Sequence, residues 1–158
     1  MEVYVFRHGK AAPPSFRTPS DHDRPLTDVG LRELSRTGRA LRRMSIRPDT
    51  LASSPLLRAV QTAEAISGYV RADVEIWEDL KPEIAPDETL HTIRSTGADS
   101  IMVVGHEPNL TSLISHMISD HAATISLKKG GLACVRLPVL GRGALRYILT
   151  PKQMEMIS

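Results

Sequence analysis

Short apolar segments alternate along this chain with longer segments in which apolar residues recur every three or four positions. Val3–Phe6 and Ser100–Val104 are runs of β-favouring residues, typical of strands that are buried on both faces. Further strands are predicted at Thr50–Ser53 and Asp73–Trp77 and, as a hairpin around a Gly-Arg-Gly turn, at Leu132–Leu137 and Ala144–Leu149. These runs predict a sheet assembled from segments spread over the whole chain.

Helices are predicted between most of these strands. Thr27 is a suitable N-cap for a helix that runs to about Met44, and Ser54 followed by Pro55 predicts the start of a second helix that ends near Gly68. A short helix is predicted at Asp87–Ser95, and another begins at Pro108. The side chains expected to face the core are Leu31, Leu34, Gly38 and Leu41 in the first helix, Leu56, Val60, Ala63 and Ile66 in the second, and Leu110, Leu113, Ile114, Met117 and Ile118 in the last.

The alternation of strands and helices determines the expected fold class. Strands separated by helices pair in parallel and are covered on both faces. We therefore expect an α/β fold, a three-layer sandwich with a mostly parallel central sheet and helices on both faces. A length of 158 residues suits a single domain that spans 1–158.

Two polar features stand outside this pattern. Residues 10–26 contain four prolines among polar residues, and such a long loop indicates a functional or mobile segment. Lys10, at its start, either adds charge near a site or faces water. The outward side of the first helix carries a row of arginines, for which a solvated face is the simpler interpretation and a docking surface for an acidic protein the alternative: Arg32, Arg36, Arg39 and Arg43.

Composition and charge narrow the range of functions. A net charge of +2 and a content of one Trp, three Tyr and two Phe do not provide the basic surface or the stacking platform of a nucleic-acid-binding protein. Cys134 is the single cysteine, which excludes an internal disulfide and a multi-thiolate metal site. The N-terminal segment turns polar at Arg7, unlike a signal peptide, and no apolar run approaches the roughly 20 residues of a membrane span. We therefore expect a cytoplasmic protein without membrane contact.

Polar and charged side chains that could carry chemistry occur at three junctions, each just after the end of a predicted strand. The junctions are Arg7-His8-Gly9, Ser54-Pro55-Leu56-Leu57-Arg58 and Gly105-His106. In a parallel sheet the carboxyl ends of the strands share one edge, so we expect the three junctions to meet there. Two arginines, two histidines and two helix N-termini would attract an anion, and phosphate matches the arginine fork best. The guanidinium charges would also lower the pKa of a neighbouring imidazole and keep it neutral, the form that can attack phosphorus.

The remaining histidines and the cysteine are interpreted as structural. None shows a metal-ligand spacing, and surface or core positions are expected for His22, His91, His116 and His121. Cys134 lacks the arginine that a cysteine-dependent phosphatase would have six residues later, so we expect it to fill space in a strand. Asp21-His22-Asp23 has the spacing of an aspartate-nucleophile motif, but it lies in a loop instead of following a strand.

Four blocks of this sequence together resemble the histidine phosphatase superfamily, which has the phosphoglycerate-mutase-like fold. The blocks are Arg7-His8-Gly9-Lys10-Ala11, Arg24-Pro25-Leu26-Thr27 with Gly30, Ser53-Ser54-Pro55-Leu56-Leu57-Arg58-Ala59-Val60-Gln61-Thr62-Ala63 and Val104-Gly105-His106-Glu107-Pro108. Their order and spacing agree with the family, and the likeness extends to the C-terminal hairpin. Within the superfamily, the chain is most similar to the small SixA-type phosphohistidine phosphatases.

The resemblance implies an activity and a set of residue roles. His8 would be the nucleophile that forms a phosphohistidine intermediate. Arg7, Arg58 and His106 would bind and neutralise the phosphoryl group. No metal or organic cofactor is implied.

The resemblance leaves the general acid and the substrate open. Larger members supply a carboxylic acid after the third strand, and Glu83 is the first candidate here and Asp79 the second. An imidazole leaving group can take up its own proton near neutral pH, whereas an alkoxide needs the acid. This difference, and the absence of long insertions, favours a phosphohistidine-containing protein as the substrate. A small phosphate ester such as a sugar phosphate is the alternative, and a phosphate-binding module without turnover is a further one.

Overall fold

A six-stranded sheet with five α-helices forms the framework of the protein in a computed structural model that describes residues 1–15, 20–121 and 123–158. The strands are β1 (Glu2–Arg7), β2 (Thr50–Ser53), β3 (Val74–Ile76), β4 (Ser100–Gly105), β5 (Leu132–Arg136) and β6 (Ala144–Leu149). The helices are α1 (Asp28–Arg43), α2 (Leu57–Val70), α3 (Pro86–Ser95), α4 (Asn109–Ile118) and α5 (Pro151–Ile157), with a 3-10 turn at Glu78–Leu80. Each predicted strand is present, with bounds within one residue of the prediction.

The sheet has the strand order β3-β2-β4-β1-β5-β6. The first four strands in this order pair in parallel, and β5 pairs antiparallel with both β1 and β6. The long β1–β4 pairing runs from Glu2 opposite Ser100 to Arg7 opposite Gly105. A mostly parallel sheet with a C-terminal hairpin is therefore confirmed.

Successive residues of the central strands bury opposite faces of the sheet. Tyr4 and Phe6 belong to a core that includes residues of α1, α2 and α5, whereas Val3 and Val5 belong to a core that includes residues of α3 and α4. Side chains of neighbouring positions point to opposite faces of a strand, so each apolar run fills two cores at once. The predicted three-layer arrangement is confirmed.

Helix α1 has the predicted cap but a slightly different buried face. The Thr27 hydroxyl accepts a hydrogen bond from the Gly30 amide at 3.0 Å, as an N-cap does. Leu34 is buried as predicted, but Leu31 is 43 % exposed, so that part of the prediction is wrong. The buried face begins at Gly30 instead, where an added Cβ would lie 2.5 Å from the carbonyl oxygen of Lys10.

Helix α2 begins at Leu57, so the predicted start at Ser54 and Pro55 is wrong. The Ser54 amide donates to the Val104 carbonyl at 3.0 Å, so the hydrogen bonding of the sheet continues one residue past β2 and the helix begins only after Leu56. The inward face also differs, because Val60 is half-buried while Arg58 is buried. The N-terminal turn of α2 thus directs polar groups into the protein.

Helix α5 was not predicted, although its start is encoded locally. Thr150 caps the helix and exchanges hydrogen bonds with Gln153 in a capping box, with Pro151 in the first turn. The seven-residue helix buries Met154 against α1 and the sheet. A segment this short carries too few apolar positions for a periodic pattern to be recognised.

The long loop and the arginine row can be compared with their predictions in part. Residues 16–19 of the loop lie outside the described residues, and the described remainder has no helix, with an isolated bridge joining Ala11 to Leu26. All four arginines of the row are exposed, as both a solvated face and a docking surface require. Arg36 also binds Glu155 of α5 at 2.5 Å, so part of the row holds the C-terminal helix. In the described part of the chain, no helix has both the length and the apolar character to cross a membrane.

Candidate active site

Three adjacent strands, in the order β2, β4, β1, end at the same edge of the sheet. The His8 amide donates to the Gly105 carbonyl at 3.1 Å, just past the end of β1. The Ser54 amide makes the equivalent bond to Val104 past the end of β2. The imidazole rings of His8 and His106 lie with their centroids 5.1 Å apart. The structure therefore brings the three junctions together.

The environment of His8 fixes both its tautomer and its charge. His8 is 6 % exposed, and its Nδ1 lies 2.7 Å from the Gly9 carbonyl oxygen. A carbonyl can only accept, so Nδ1 carries the proton and Nε2 keeps its lone pair. Burial is the main cause that lowers the pKa of His8 from 6.5 to about 4; the Gly9 hydrogen bond opposes it, and the charges of Arg58, Arg7 and Lys129 add to it. His8 is thus neutral near pH 7, with a nucleophilic nitrogen available.

His106 is a second neutral imidazole at the same edge. It is 3 % exposed, and its Nε2 lies 2.9 Å from the Ser54 hydroxyl. Burial lowers the pKa of His106 to about 3, with further contributions from His8 and Arg58. Its Nδ1 is buried and has no hydrogen-bond partner among the residues that the structure describes.

The two arginines are each held by oxygen atoms of the protein. Nη1 of Arg7 donates to the Leu127 carbonyl at 2.7 Å. Nη1 and Nη2 of Arg58 donate to the main-chain carbonyl and the carboxylate of Asp21, at 2.6 and 2.8 Å. The Nε groups of both arginines are buried and unpartnered within the described part of the chain. Both guanidinium groups are therefore positioned by the protein and still have a donor to offer.

Unsatisfied polar atoms are concentrated at this edge. In residues 1–15, 20–121 and 123–158, four buried side-chain nitrogen or oxygen atoms lack a partner, and three of them belong to Arg7, Arg58 and His106. The fourth is Oε1 of Glu107, the residue after His106. Proteins satisfy nearly all buried polar groups, and an orphaned one costs about 1–3 kcal/mol. Three orphaned nitrogens beside one neutral imidazole indicate a site for an anion with several acceptor oxygens.

Asp21 is a member of the site that the sequence did not predict. Its carboxylate binds Arg58 at 2.8 Å and Arg24 at 2.6 Å. Burial opposes ionisation of Asp21, but hydrogen bonds from both arginines prevail and lower its pKa. The adjacent His22 carbonyl accepts from the Leu57 amide at 3.0 Å, so a protein carbonyl already occupies part of the helix N-terminus that was expected to attract the anion. The Asp21 carboxylate thus positions Arg24 and Arg58, which agrees with the interpretation that Asp21 is not an aspartate nucleophile.

Thr62 couples helix α2 to the loop that follows β1 and carries His8. Its hydroxyl accepts from the Gly9 amide at 3.0 Å and donates to the Arg58 carbonyl at 2.6 Å. Since the Gly9 carbonyl orients His8, this fully buried hydroxyl supports the orientation of the ring from the other side of Gly9. Thr62 stood in a sequence block of the resemblance, but its contact with Gly9 depends on the fold.

The two candidate acids are placed differently. Glu83 is exposed, and no described hydrogen bond or ion pair joins it to the two histidines or the two arginines. Asp79 is half-buried, and its carboxylate accepts from the Thr92 hydroxyl of α3. Asp79 also lines, together with His106, a small cavity of about 10 Å³. The identity of the acid stays a prediction.

The other candidate residues lie outside the site. The four remaining histidines are exposed, as expected. Cys134 is buried in β5, and burial raises the pKa of its thiol, which confirms its role as an apolar filler. Among the described residues, no group of three or more His, Cys, Asp or Glu side chains is arranged to hold a metal ion.

Residues 3–85, more than half of the chain, match the sequence profile of the histidine phosphatase superfamily (branch 1). The chain belongs to this superfamily. Phosphohistidine phosphatase SixA of Escherichia coli is 25% identical over 163 residues, which cover 99% of this chain and 98% of SixA. The structure of the protein histidine phosphatase SixA complexed with tungstate matches with a TM-score of 0.86 at 25% identity, over 98% of this chain and 99% of that chain.

A more distant solved structure shares the fold. The alpha-ribazole phosphatase from Shigella flexneri matches with a TM-score of 0.76 at 16% identity, over 96% of this chain and 97% of that chain. At this identity the likeness shows the fold alone. The predicted fold and the resemblance to the superfamily are confirmed, and superfamily membership makes the chain a histidine-type phosphatase.

Proposed function

We propose that this chain hydrolyses phosphohistidine on a partner protein through a phosphohistidine intermediate on His8. The observation that carries the proposal is the set of three orphaned nitrogens around a neutral imidazole whose Nε2 is unprotonated. The likeness to phosphohistidine phosphatase SixA over nearly the whole chain supports the choice of substrate.

The reaction proceeds in two displacements. In the first, the Nε2 lone pair of His8 attacks phosphorus, and the phosphorus–nitrogen bond to the substrate imidazole breaks. The leaving imidazole keeps the bond pair on one ring nitrogen and carries a proton on the other. In the second, water attacks the phosphoryl group of His8. Inorganic phosphate leaves, one proton of the water is released, and Nε2 regains its lone pair.

Arg7, Arg58 and His106 stabilise the charge that spreads over the equatorial oxygens. Each has a donor fixed before substrate arrives, so no reorganisation is needed in the transition state. Removing one such donor typically costs about 2.7–4 kcal/mol of transition-state stabilisation. Neutral His106 fits this role when Nδ1 carries its proton and Nε2 accepts from Ser54.

Glu83 remains our first candidate for the acid that an ester substrate would need, and Asp79 the second. The acid is identified by comparing Glu83→Gln and Asp79→Asn on two substrates. The variant that removes the acid is expected to lose about 100-fold in turnover of an alkyl phosphate and much less with phosphoramidate, whose leaving group needs no such help. Equal losses on both substrates would exclude that residue as the acid.

The proposal is tested by comparing turnover of a phosphohistidine protein with turnover of a panel of sugar phosphates and phosphoglycerates. We expect kcat/KM to be higher for the phosphohistidine protein substrate than for any of the small esters. A higher kcat/KM for a small ester would instead support the ester phosphatase. We test this alternative because an alpha-ribazole phosphatase has the same fold. Phosphate binding without turnover of any substrate would support the non-catalytic module.

A further inference from the structure

A wide recess adjoins the phosphate site on the side of Arg7. It has a volume of about 550 Å³. Its lining comes from four separate parts of the chain and includes Arg7, Lys10, Glu33, Lys128, Lys129 and Lys152. Nothing in the two-step reaction uses this space beyond Arg7.

The charge of the recess is exceptional within this chain. The protein has five lysines beside fifteen arginines, and four of the five lysines line this one recess. With Arg7 they bring five positive charges against a single carboxylate, Glu33, so the lining carries a net +4 while the whole chain carries +2. Glu33 is itself bound by Lys10 at 2.5 Å.

The other lysines of the recess remain available. Lys128, Lys129 and Lys152 are exposed, and no carboxylate partner is found for them within the described residues. The fifth lysine of the chain, Lys81, lies elsewhere and is paired with Glu78. Uncompensated ammonium groups that gather around a recess produce a positive potential that attracts acidic ligands.

The recess is physically connected to the reacting centre. The Leu127 carbonyl accepts the hydrogen bond from Arg7, so the segment that carries Lys128 and Lys129 is attached to a phosphate-binding arginine. The Gly130 amide also donates to the His8 carbonyl at 3.0 Å. A ligand in the recess would therefore continue directly from a phosphoryl group bound at the sheet edge.

We propose that this recess receives acidic side chains that flank the phosphohistidine of the partner protein, an inference that rests on the proposed function. Lysine ammonium groups are strongly hydrated and keep freedom of movement, unlike the rigid arginine fork that holds the phosphoryl group. Such groups suit a wet, adjustable contact with several carboxylates on a protein surface and accelerate encounter with it. The sheet edge would select the phosphoryl group, and the recess would select its acidic surroundings.

The inference is tested by the binding of two peptides that carry a non-hydrolysable phosphohistidine analogue. One peptide has three Asp or Glu residues beside the analogue, and in the other these are Asn or Gln. At about 0.05 M salt the wild type is expected to bind the acidic peptide about tenfold more tightly, and the preference is expected to vanish near 0.5 M salt. The double variant Lys128→Glu/Lys152→Glu is expected to lose it at low salt as well.

A charge-matched control separates the recess from net charge. Arg32→Glu/Arg39→Glu makes the same change in charge on the exposed side of α1 and is expected to keep the preference. Equal affinity of the wild type for both peptides, or a preference that survives in the lysine variant, would overturn the inference. Turnover of a phosphohistidine protein is measured separately: its absence from the wild type would refute the proposed function, while the peptide binding would still decide on the recess.

Discussion

The Ser54 hydroxyl allows the tautomer of His106 to be tested by removing a single atom. Ser54 is fully buried, and its hydroxyl lies 2.9 Å from Nε2 of His106. If this hydroxyl donates to Nε2, the ring proton must reside on Nδ1, the orphaned nitrogen that we assign to the phosphoryl group. Ser54→Ala removes that donor, so the proton of His106 is no longer restricted to Nδ1.

The size of the effect follows from two limits. If both tautomers of His106 became equally populated, the donor would be available half of the time and kcat would fall only about twofold. If the proton moved wholly to Nε2, the loss would approach the roughly 10²–10³-fold of a missing oxyanion donor. We expect an intermediate loss of about tenfold in kcat, equivalent to about 1.4 kcal/mol. Leaving a buried ring nitrogen unpaired should also cost about 1–3 kcal/mol of stability.

Ser53→Ala is the matched control. Ser53 is equally buried, but its hydroxyl donates to the Ser54 carbonyl at 3.0 Å instead of contacting a histidine. Steady-state kinetics with phosphoramidate and thermal unfolding are measured for both variants. We expect both to lose stability and Ser54→Ala alone to lose kcat. An unchanged kcat in Ser54→Ala, or equal losses of kcat in both, would refute the assignment of the His106 tautomer.

Further predictions concern packing and pH. Gly38→Ala is expected to lower the free energy of unfolding by about 1–3 kcal/mol, because the added Cβ would lie 2.3 Å from Cδ2 of Tyr69. Gly68→Ala is expected to raise the free energy of unfolding by about 0.5–1 kcal/mol, because nothing lies within 4 Å of its Cβ. Chemical denaturation of both variants checks these values. The kcat/KM of the free enzyme is expected to stay level down to about pH 5 and to fall below about pH 4, where His8 binds a proton; a decline centred near 6.5 in the pH–rate profile would contradict this. The contribution of neutral His8 to the free energy of unfolding is complete above pH 6.5 and is lost as the pH falls towards 4, because His8 binds its proton at a higher pH in the unfolded chain than in the folded protein. The free energy of unfolding, measured between pH 7 and pH 4, checks this loss.

The sequence was sufficient to predict the strands and the meeting of their ends. Val3–Phe6 and Ser100–Val104 are continuous apolar runs, and such runs have few alternatives to a buried parallel strand. Once these strands are parallel, topology brings His8 and His106 to one edge regardless of their separation in sequence. The two histidines could therefore be predicted as neighbours without knowledge of any distance.

What the sequence could not supply are features decided by long-range contacts. Ser54 and Pro55 have the local pattern of a helix start, but pairing with Val104 holds Ser54 in the sheet. Asp21 was recognised only through its spacing from Asp23, whereas its partners Arg24 and Arg58 come together through the fold of the loop onto α2. The gathering of lysines beside Arg7 likewise joins segments more than a hundred residues apart, which no local pattern reports.

The central claim is that the Nε2 lone pair of His8 receives the phosphoryl group. Its most direct test is rapid acid-free quenching during turnover of a labelled phosphohistidine protein, followed by mass spectrometry of the peptide that contains His8. The account predicts phosphate on His8 in the wild type and none in His8→Ala, with a longer-lived phosphoryl group in His106→Ala because the water step loses a donor. Turnover with phosphate on a different residue, or equal labelling of His8→Ala, would contradict it.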